Sequence, residues 1–341
     1  MSTMQIMGLD AYFTEAVQFA SQIDFNKSNT SDPVSVFETT IRYLGGLLSA
    51  FELSEGKYPS LLDKAKQVAD KMSFAWVDSN IAEAGTLTLE WSTLSKYTGS
   101  DRYRGLAEGS VRRVASQTWG GGSDSYFEYL IKYARLNNTA DNFFADHWKL
   151  AVDSSIKNLT GIGPEAFAYV PKNSAGAAPA DQTLFNAQHG FYITSPYYIL
   201  RPEVLESNFY AWRVTGNIKY FERAVSAVES FNKYLSANGA FAGLYDVNNI
   251  MSRKVDDMES FWFAEVLKYL YLTFDDPGHI SLDQYVFNTE AHPFKIPPPK
   301  DTYGSGGLPT PTSNAPAFHM VDGSMPQVSQ SRGLLSFLGG R

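Results

Sequence analysis

The 341-residue chain contains no cysteine, which excludes disulfide staples, thiolate metal sites and cysteine nucleophiles. Histidine is scarce, with five residues, so an imidazole-rich metal centre has little to draw on. No apolar run reaches the roughly 18–20 residues that span a bilayer. Positive charge is in deficit: the formal net charge is −8 and no basic cluster offsets it, which argues against a nucleic-acid partner. The chain has no HExxH, no GxSxG, no phosphate-binding loop and no dinucleotide fingerprint. Its opening residues, MSTMQIMGLDAYF, lack the basic stretch and apolar core of a signal peptide.

Hydrophobic residues make up 44% of the chain, enough to bury a large core in one domain or two. Aromatic content is 14%; most of these rings belong in the core, but an aromatic-rich cleft also suits sugar rings. Sequons for N-glycosylation start at Asn26, Asn29, Asn137 and Asn158.

Apolar periodicity predicts helix after helix and little strand alternation. The expected helices cover about 34–53, 59–76, 80–98, 101–116, 123–136, 141–158, 202–215, 217–236 and 257–274. Three junctions share one pattern, SEGKY (54–58), TGSDRY (98–103) and TGNIKY (215–220). Each places a glycine turn after one helix, then a basic residue and a tyrosine opening the next. Tyr58 and Tyr103 are 45 residues apart, about one helical hairpin. Stacked hairpins closed into a ring would bring helix ends together on one axis; an ordinary bundle is the alternative. Residues 171–198 read as a long loop. From Pro297 the chain turns to Pro, Gly and Ser, giving a first region over 1–296 and a tail over 297–341 expected to lack fixed structure.

The acids stand out by their settings. Glu38, Asp124, Glu203, Glu206 and Glu265 all lie in apolar, helical-looking stretches. A carboxylate held away from water is costly unless it is paired, binds a cation or has a chemical task. Five of them point to one acidic pocket lined by several helices. Glu38 and Arg42 are four apart and share a helix face, which also suits a purely structural ion pair. In LRPEVLE (200–206), Pro202 fits a first helical position. Glu203 and Glu206 then occupy the first turn, where the helix dipole favours the ionised form and so a base. Ser123 or Asp124 can also serve as a helix cap after the glycines at 120–122. Thr289 and Glu290 offer oxygen donors, and with no Cys and few His this points to a hard cation, Ca²⁺ before Zn²⁺. His189 and His292 read as structural or surface residues.

Six segments taken in order resemble the class I α-1,2-mannosidases of glycoside hydrolase family 47, the fungal members above all. They are FETTIRYLGGLLSA (37–50), GSDSYFEYL (122–130), GIGPE (161–165), LRPEVLES (200–207), MESFWFAEVLKYL (258–270) and VFNTEAHP (286–293). The resemblance runs from about Met7 to Pro293. It implies an all-α (αα)7-type barrel with Ca²⁺ at the base of an acid-lined pocket, and inverting hydrolysis of terminal α-1,2-linked mannose on high-mannose N-glycans. It implies Glu38 as general acid, Asp124 as a second catalytic carboxylate and Glu203 as the base that activates water. Arg42, Glu83, Arg201, Glu206, Phe261 and Glu265 match sugar-binding or ion-shell residues, and Thr289 matches the direct calcium ligand. Inversion needs one protonated and one ionised carboxyl with room for water between. Burial of Glu38 would favour its protonated form, against the pull of Arg42.

The resemblance also implies a secretory or secreted setting, a monomer, and no nucleic-acid partner. Family members carry further hairpins between the equivalents of Lys157 and Gly161, including a cysteine pair, with shorter losses near 76–81 and 117–120. The barrel is therefore expected to be shortened or gapped. A non-catalytic mannose-glycan binder and a fragment without one folded state are the competing readings.

Overall fold

The computed structural model describes residues 1–74, 84–114, 124–138, 141–159, 183–184 and 195–305; for Asp124 and residues 154–159 it describes the backbone alone. Helices α1 (Ser2–Ile6) and α2 (Asp10–Gln22) open the chain. Helix α3 (36–53) runs as Val36–Glu38, a wider π-helical stretch Thr39–Leu44, and Gly45–Leu53. Then come α4 (Pro59–Met72), α5 (Thr88–Thr98), α6 (Asp101–Val114), α7 (Asp124–Asn137) and α8 (Phe143–Leu159). After residue 195 follow α9 (Glu203–Thr215), α10 (218–235) and α11 (262–274).

Each odd-numbered helix from α1 to α9 packs on the even-numbered helix that follows it. Odd-numbered helices also pack on one another: α11 on α1, α1 on α3, α3 on α5, α5 on α7, and α9 on α11. The result is an α/α barrel with an inner layer of odd helices and an outer layer of even ones. Residue chemistry follows the layers. Inner helix α5 buries every residue from Thr88 to Ser95, as a helix enclosed on all sides must. Outer helix α4 buries only Leu61, Ala65, Val68, Ala69 and Met72, one stripe at helical spacing.

The three glycine junctions join α3 to α4, α5 to α6 and α9 to α10. Gly99 and Gly216 adopt left-handed conformations just past the ends of α5 and α9, where a side chain would strain the turn. The hairpin repeat expected from the sequence is present.

Among the described residues before α3, two helices lie outside the expected set. Helix α1 is five residues long, too short to show a period, and α2 buries a narrow stripe of Phe13, Val17 and Ala20. Among the described residues there are also three two-stranded antiparallel hairpins: β1 (Ser236–Ala237) with β2 (Ala240–Phe241), β3 (Gly243–Leu244) with β4 (Lys254–Val255), and β5 (Tyr285–Phe287) with β6 (Pro293–Lys295). Their strands of two or three residues carry too little alternation to be legible. The β5–β6 hairpin packs on α3 and α7, so its turn, residues 288–292, enters the inner layer.

That turn explains the glycine pair inside α3. A Cβ on Gly45 would meet Asn288 Nδ2 at 2.7 Å and His292 Cδ2 at 3.2 Å. Glycine costs a helix roughly 1 kcal/mol against alanine, and here it lets the turn lie against the helix backbone. The expected tail begins in contact: Arg135 donates to the Pro297 carbonyl at 2.6 Å and Ser305 N to Asp146 Oδ1 at 2.8 Å. Residues 306–341 and most of 171–198 lie outside the described residues.

Candidate active site

Residues of α3, α7, α9 and α11 and of the β5–β6 turn line a cavity of about 1110 Å³. Its wall includes Glu38 and Arg42 from α3, Glu128 and Lys132 from α7, and Arg201, Glu203 and Glu206 from the start of α9. Glu259, Phe261 and Glu265 enter ahead of and within α11, and Thr289 and Glu290 come from the turn. Four of the five acids singled out in the sequence share this cavity. The fifth, Asp124, is the first residue of α7, next to Ser125 of the cavity wall. Glu83 lies outside the described residues.

The acids divide by solvent access, which corrects the expectation that all are held from water. The side chains of Glu38 and Glu203 are 49% and 59% exposed to the open cavity. Glu38 is therefore half-exposed, not buried as expected. Glu206 is 17% exposed and Glu265 4%. Burial pushes Glu265 up to about 10, with Glu290 and Glu206 adding repulsion. Burial likewise raises Glu206 to about 7 despite Lys132, with Glu128 acting in the same direction. Glu290 also rises to about 7, through burial first, while Arg42 pulls the other way and Glu38 adds repulsion.

Ser35 caps α3 by accepting from Glu38 N at 3.1 Å. Arg42 Nε then donates to Glu38 Oε2 at 2.6 Å, while its Nη1 reaches Glu290 and Ser260 Oγ at 3.0 and 3.1 Å. Burial disfavours the Arg42 charge, but Glu290, Glu38 and Glu265 together raise its pKa. Arg42 and Glu265 both sit in π-helical turns, at Thr39–Leu44 and Trp262–Val266. Such turns are frequent at functional sites because they re-aim side chains.

Glu203 is the first residue of α9, after Pro202 at the cap. Arg201 Nη1 donates to Glu203 Oε1 at 3.2 Å, and its guanidinium lies 5.7 Å from the Phe261 ring centre. Immediately before them, Leu200 has φ +65° and is fully buried among Leu205, Phe261 and Trp262. A left-handed leucine is strained, and its packing holds the turn that aims Arg201 and Glu203.

Thr289 and Glu290 lie in the turn between the two short strands β5 and β6. Asn288 templates their turn. Its Oδ1 accepts from Glu290 N at 2.9 Å and His292 N at 2.8 Å, and its Nδ2 donates to Ile41 O at 3.0 Å and Glu90 Oε1 at 2.7 Å. His292 is buried, with Ser2 Oγ 2.9 Å from its Nδ1, in line with a structural role. Among the described residues no three His, Cys, Asp or Glu side chains form a ready-made metal cluster.

Glu128, Lys132 and Glu259 were not anticipated. For the first two a signal existed: Asp124, Glu128 and Lys132 are spaced four apart and share one face of α7.

A family model described as glycosyl hydrolase family 47 matches residues 1–81, 108–160 and 156–296. The chain is 32% identical to the mannosyl-oligosaccharide alpha-1,2-mannosidase 1B of Aspergillus oryzae, over 87% of this chain and 83% of that protein. The Emericella nidulans protein of the same name is 30% identical over 88% and 84%. A solved alpha-1,2-mannosidase from Trichoderma reesei superposes with a TM-score of 0.76 at 29% identity, covering 86% of this chain and 89% of that one. The A. oryzae alignment spans 428 positions, and 87% of 341 residues is about 297, so about 130 of those positions have no residue here.

Proposed function

The chain belongs to glycosyl hydrolase family 47, and from that premise we propose that it is a Ca²⁺-dependent, inverting exo-α-1,2-mannosidase that trims terminal mannose from high-mannose N-glycans. The observation that carries this reading is the meeting of Glu38, Arg42, Glu203, Glu206 and Glu265 in one cavity with Thr289.

In this reading Glu203 takes a proton from a water molecule whose oxygen attacks the anomeric carbon. The bond to the leaving glycosidic oxygen breaks, and that oxygen takes a proton from Glu38. Attack from the opposite face inverts the anomeric centre. Asp124 acts as a second catalytic carboxylate. Arg42 orients Glu38 through the 2.6 Å bond, and the Arg201 guanidinium does the same for Glu203. Phe261 offers a face to the apolar side of the sugar ring, while Arg42, Glu83, Arg201, Glu206 and Glu265 bind its hydroxyls.

The oxygen-only donor set at Thr289 fits a hard cation. In this reading the Thr289 oxygens would hold Ca²⁺ directly and the neighbouring carboxylates would act through water. Such an ion would bind sugar hydroxyls and favour a distorted ring. The substrate places the protein in the secretory pathway or outside the cell. No described helix is long and apolar enough to cross a membrane. The catalytic unit is assigned to 1–296, acting as a monomer, with 297–341 as its tail.

Release of mannose from Man-α-1,2-Man, with calcium and with EDTA, tests the proposal. Calcium-dependent release supports it. Absence of release while the disaccharide still binds would make the protein a mannose-glycan binder instead.

A further inference from the structure

Lys132 is a cation among carboxylates, and the reaction described above does not use it. It leaves α7 one turn after Glu128, to which its ammonium donates, and reaches across the cavity to Glu206 Oε1 of α9 at 3.4 Å. The ammonium also lies 5.3 Å from the centre of the Tyr210 ring, within cation–π range. The three side chains are enclosed: Lys132 is 12% exposed, Glu128 22% and Glu206 17%. Glu206 Oε1 accepts a second bond from Tyr269 OH at 3.0 Å. One ammonium thus serves two carboxylates on two helices.

Between α7 and α9 in the chain lie α8 and the stretch 160–202. The Lys132 bridge joins α7 to α9 across the cavity itself. Glu206 follows Glu203 by three residues, so the two share a face of α9. Fixing Glu206 therefore fixes the rotation of the turn that presents Glu203. As a source of stability alone, such an enclosed ion pair is a poor choice, because desolvation offsets much of its attraction. Orientation of a carboxylate that must accept sugar hydroxyls is a better account.

We propose that Lys132 is a positioning residue for glycoside hydrolysis: its ammonium ties α7 to α9 and holds Glu206, and through it the Glu203 turn, in the orientation that receives substrate. This rests on the reading of the cavity as a glycosidase site. The groups that act on this cluster include Glu128 and Tyr129 on α7, Glu206 and Tyr210 on α9, Glu265 and Tyr269 on α11, and Glu90 on α5. Lys132 is the cation that Glu128 and Glu206 both contact, while Lys268 on α11 acts on Glu265. Without Lys132, Glu128 and Glu206 become like charges in one cavity, and one of them retains its proton to higher pH.

The test compares the full chain with Lys132→Met, Lys132→Arg and Lys132→Met/Glu128→Gln. Mannose release from Man-α-1,2-Man is followed across pH with saturating calcium, and each protein is melted at pH 5 and pH 8. Lys132→Met is expected to raise KM and to move the acid limb of kcat/KM upward by about one pH unit. Lys132→Arg should restore the limb, and the double variant should recover most of it by removing the repulsion. The melting deficit of Lys132→Met should be larger at pH 8, where like-charge repulsion is stronger, than at pH 5. A wild-type limb and KM in Lys132→Met would overturn the proposal. Should the wild-type chain release no mannose, the assigned activity fails separately, and the melting curves decide the tie alone. Equal deficits at both pH values would then refute it.

Discussion

Replacing Asn288 by alanine should destabilise the protein more than its small volume suggests. The side chain is fully buried and all four of its hydrogen-bonding positions are engaged, at 2.7–3.0 Å. Truncation takes the Asn288 partner from two backbone N–H groups and one carbonyl, and leaves Glu90 Oε1 with Tyr129 OH alone. Each buried polar group left unsatisfied costs about 1–3 kcal/mol. Water entering the vacated space would recover part of that, so a loss of roughly 3–6 kcal/mol is expected. This is a large share of the ~5–15 kcal/mol that folds an ordinary domain. Equilibrium urea unfolding measures it, with an unchanged m-value showing that the folded and unfolded states are otherwise comparable. Asn288→Asp keeps both acceptor bonds but sets a carboxylate against Glu90, so its deficit should shrink on acidification. A loss below about 1 kcal/mol for Asn288→Ala would refute the view that this amide organises the turn.

Three further outcomes follow from the same geometry. Glu90 is fully buried, and burial lifts it from 4.5 to about 7. A carboxylate raised in the folded state loses stability as pH climbs from about 4.5 to about 7, in total about 3 kcal/mol at 1.36 kcal/mol per unit. Glu90→Gln should remove this slope, matching wild type near pH 5 and exceeding it near pH 8 in urea unfolding; an unchanged slope would sink the assignment. Glu203→Gln should lower kcat by at least about 10²-fold with disaccharide affinity preserved in calorimetry, since it removes a base and keeps its shape. Thr289→Ala should weaken calcium binding in a direct titration, and an identical titration would rule out Thr289 as a ligand.

Much of the architecture was legible because inner and outer helices obey different burial rules. The stripe of α4 and the apolar circumference of α3 can be read residue by residue, and glycines at helix ends marked three hairpin junctions. Helix α1 was not legible, since five residues cannot show a 3.6-residue period. The β5–β6 hairpin was missed for a similar reason, although its turn carries Thr289 and Glu290. In the site, Glu38 with Arg42 and Glu203 with Glu206 declared themselves by spacing and setting. Lys132 did not, because a lysine four residues after a glutamate is usually a solvated helix pair.

By itself the sequence determined the helical class, the hairpin repeat and four acids that gather at one cavity, because these depend on periodicity, turn chemistry and the cost of burying charge. It could not rank those acids by exposure. Only the tertiary structure decided that Glu38 and Glu203 face open solvent while Glu265 is sealed, that Arg42 ties α3 to Glu290, and that Lys132 spans α7 and α9. Those facts depend on which helices become neighbours, and long-range packing is set by the whole chain, not by any local stretch of it.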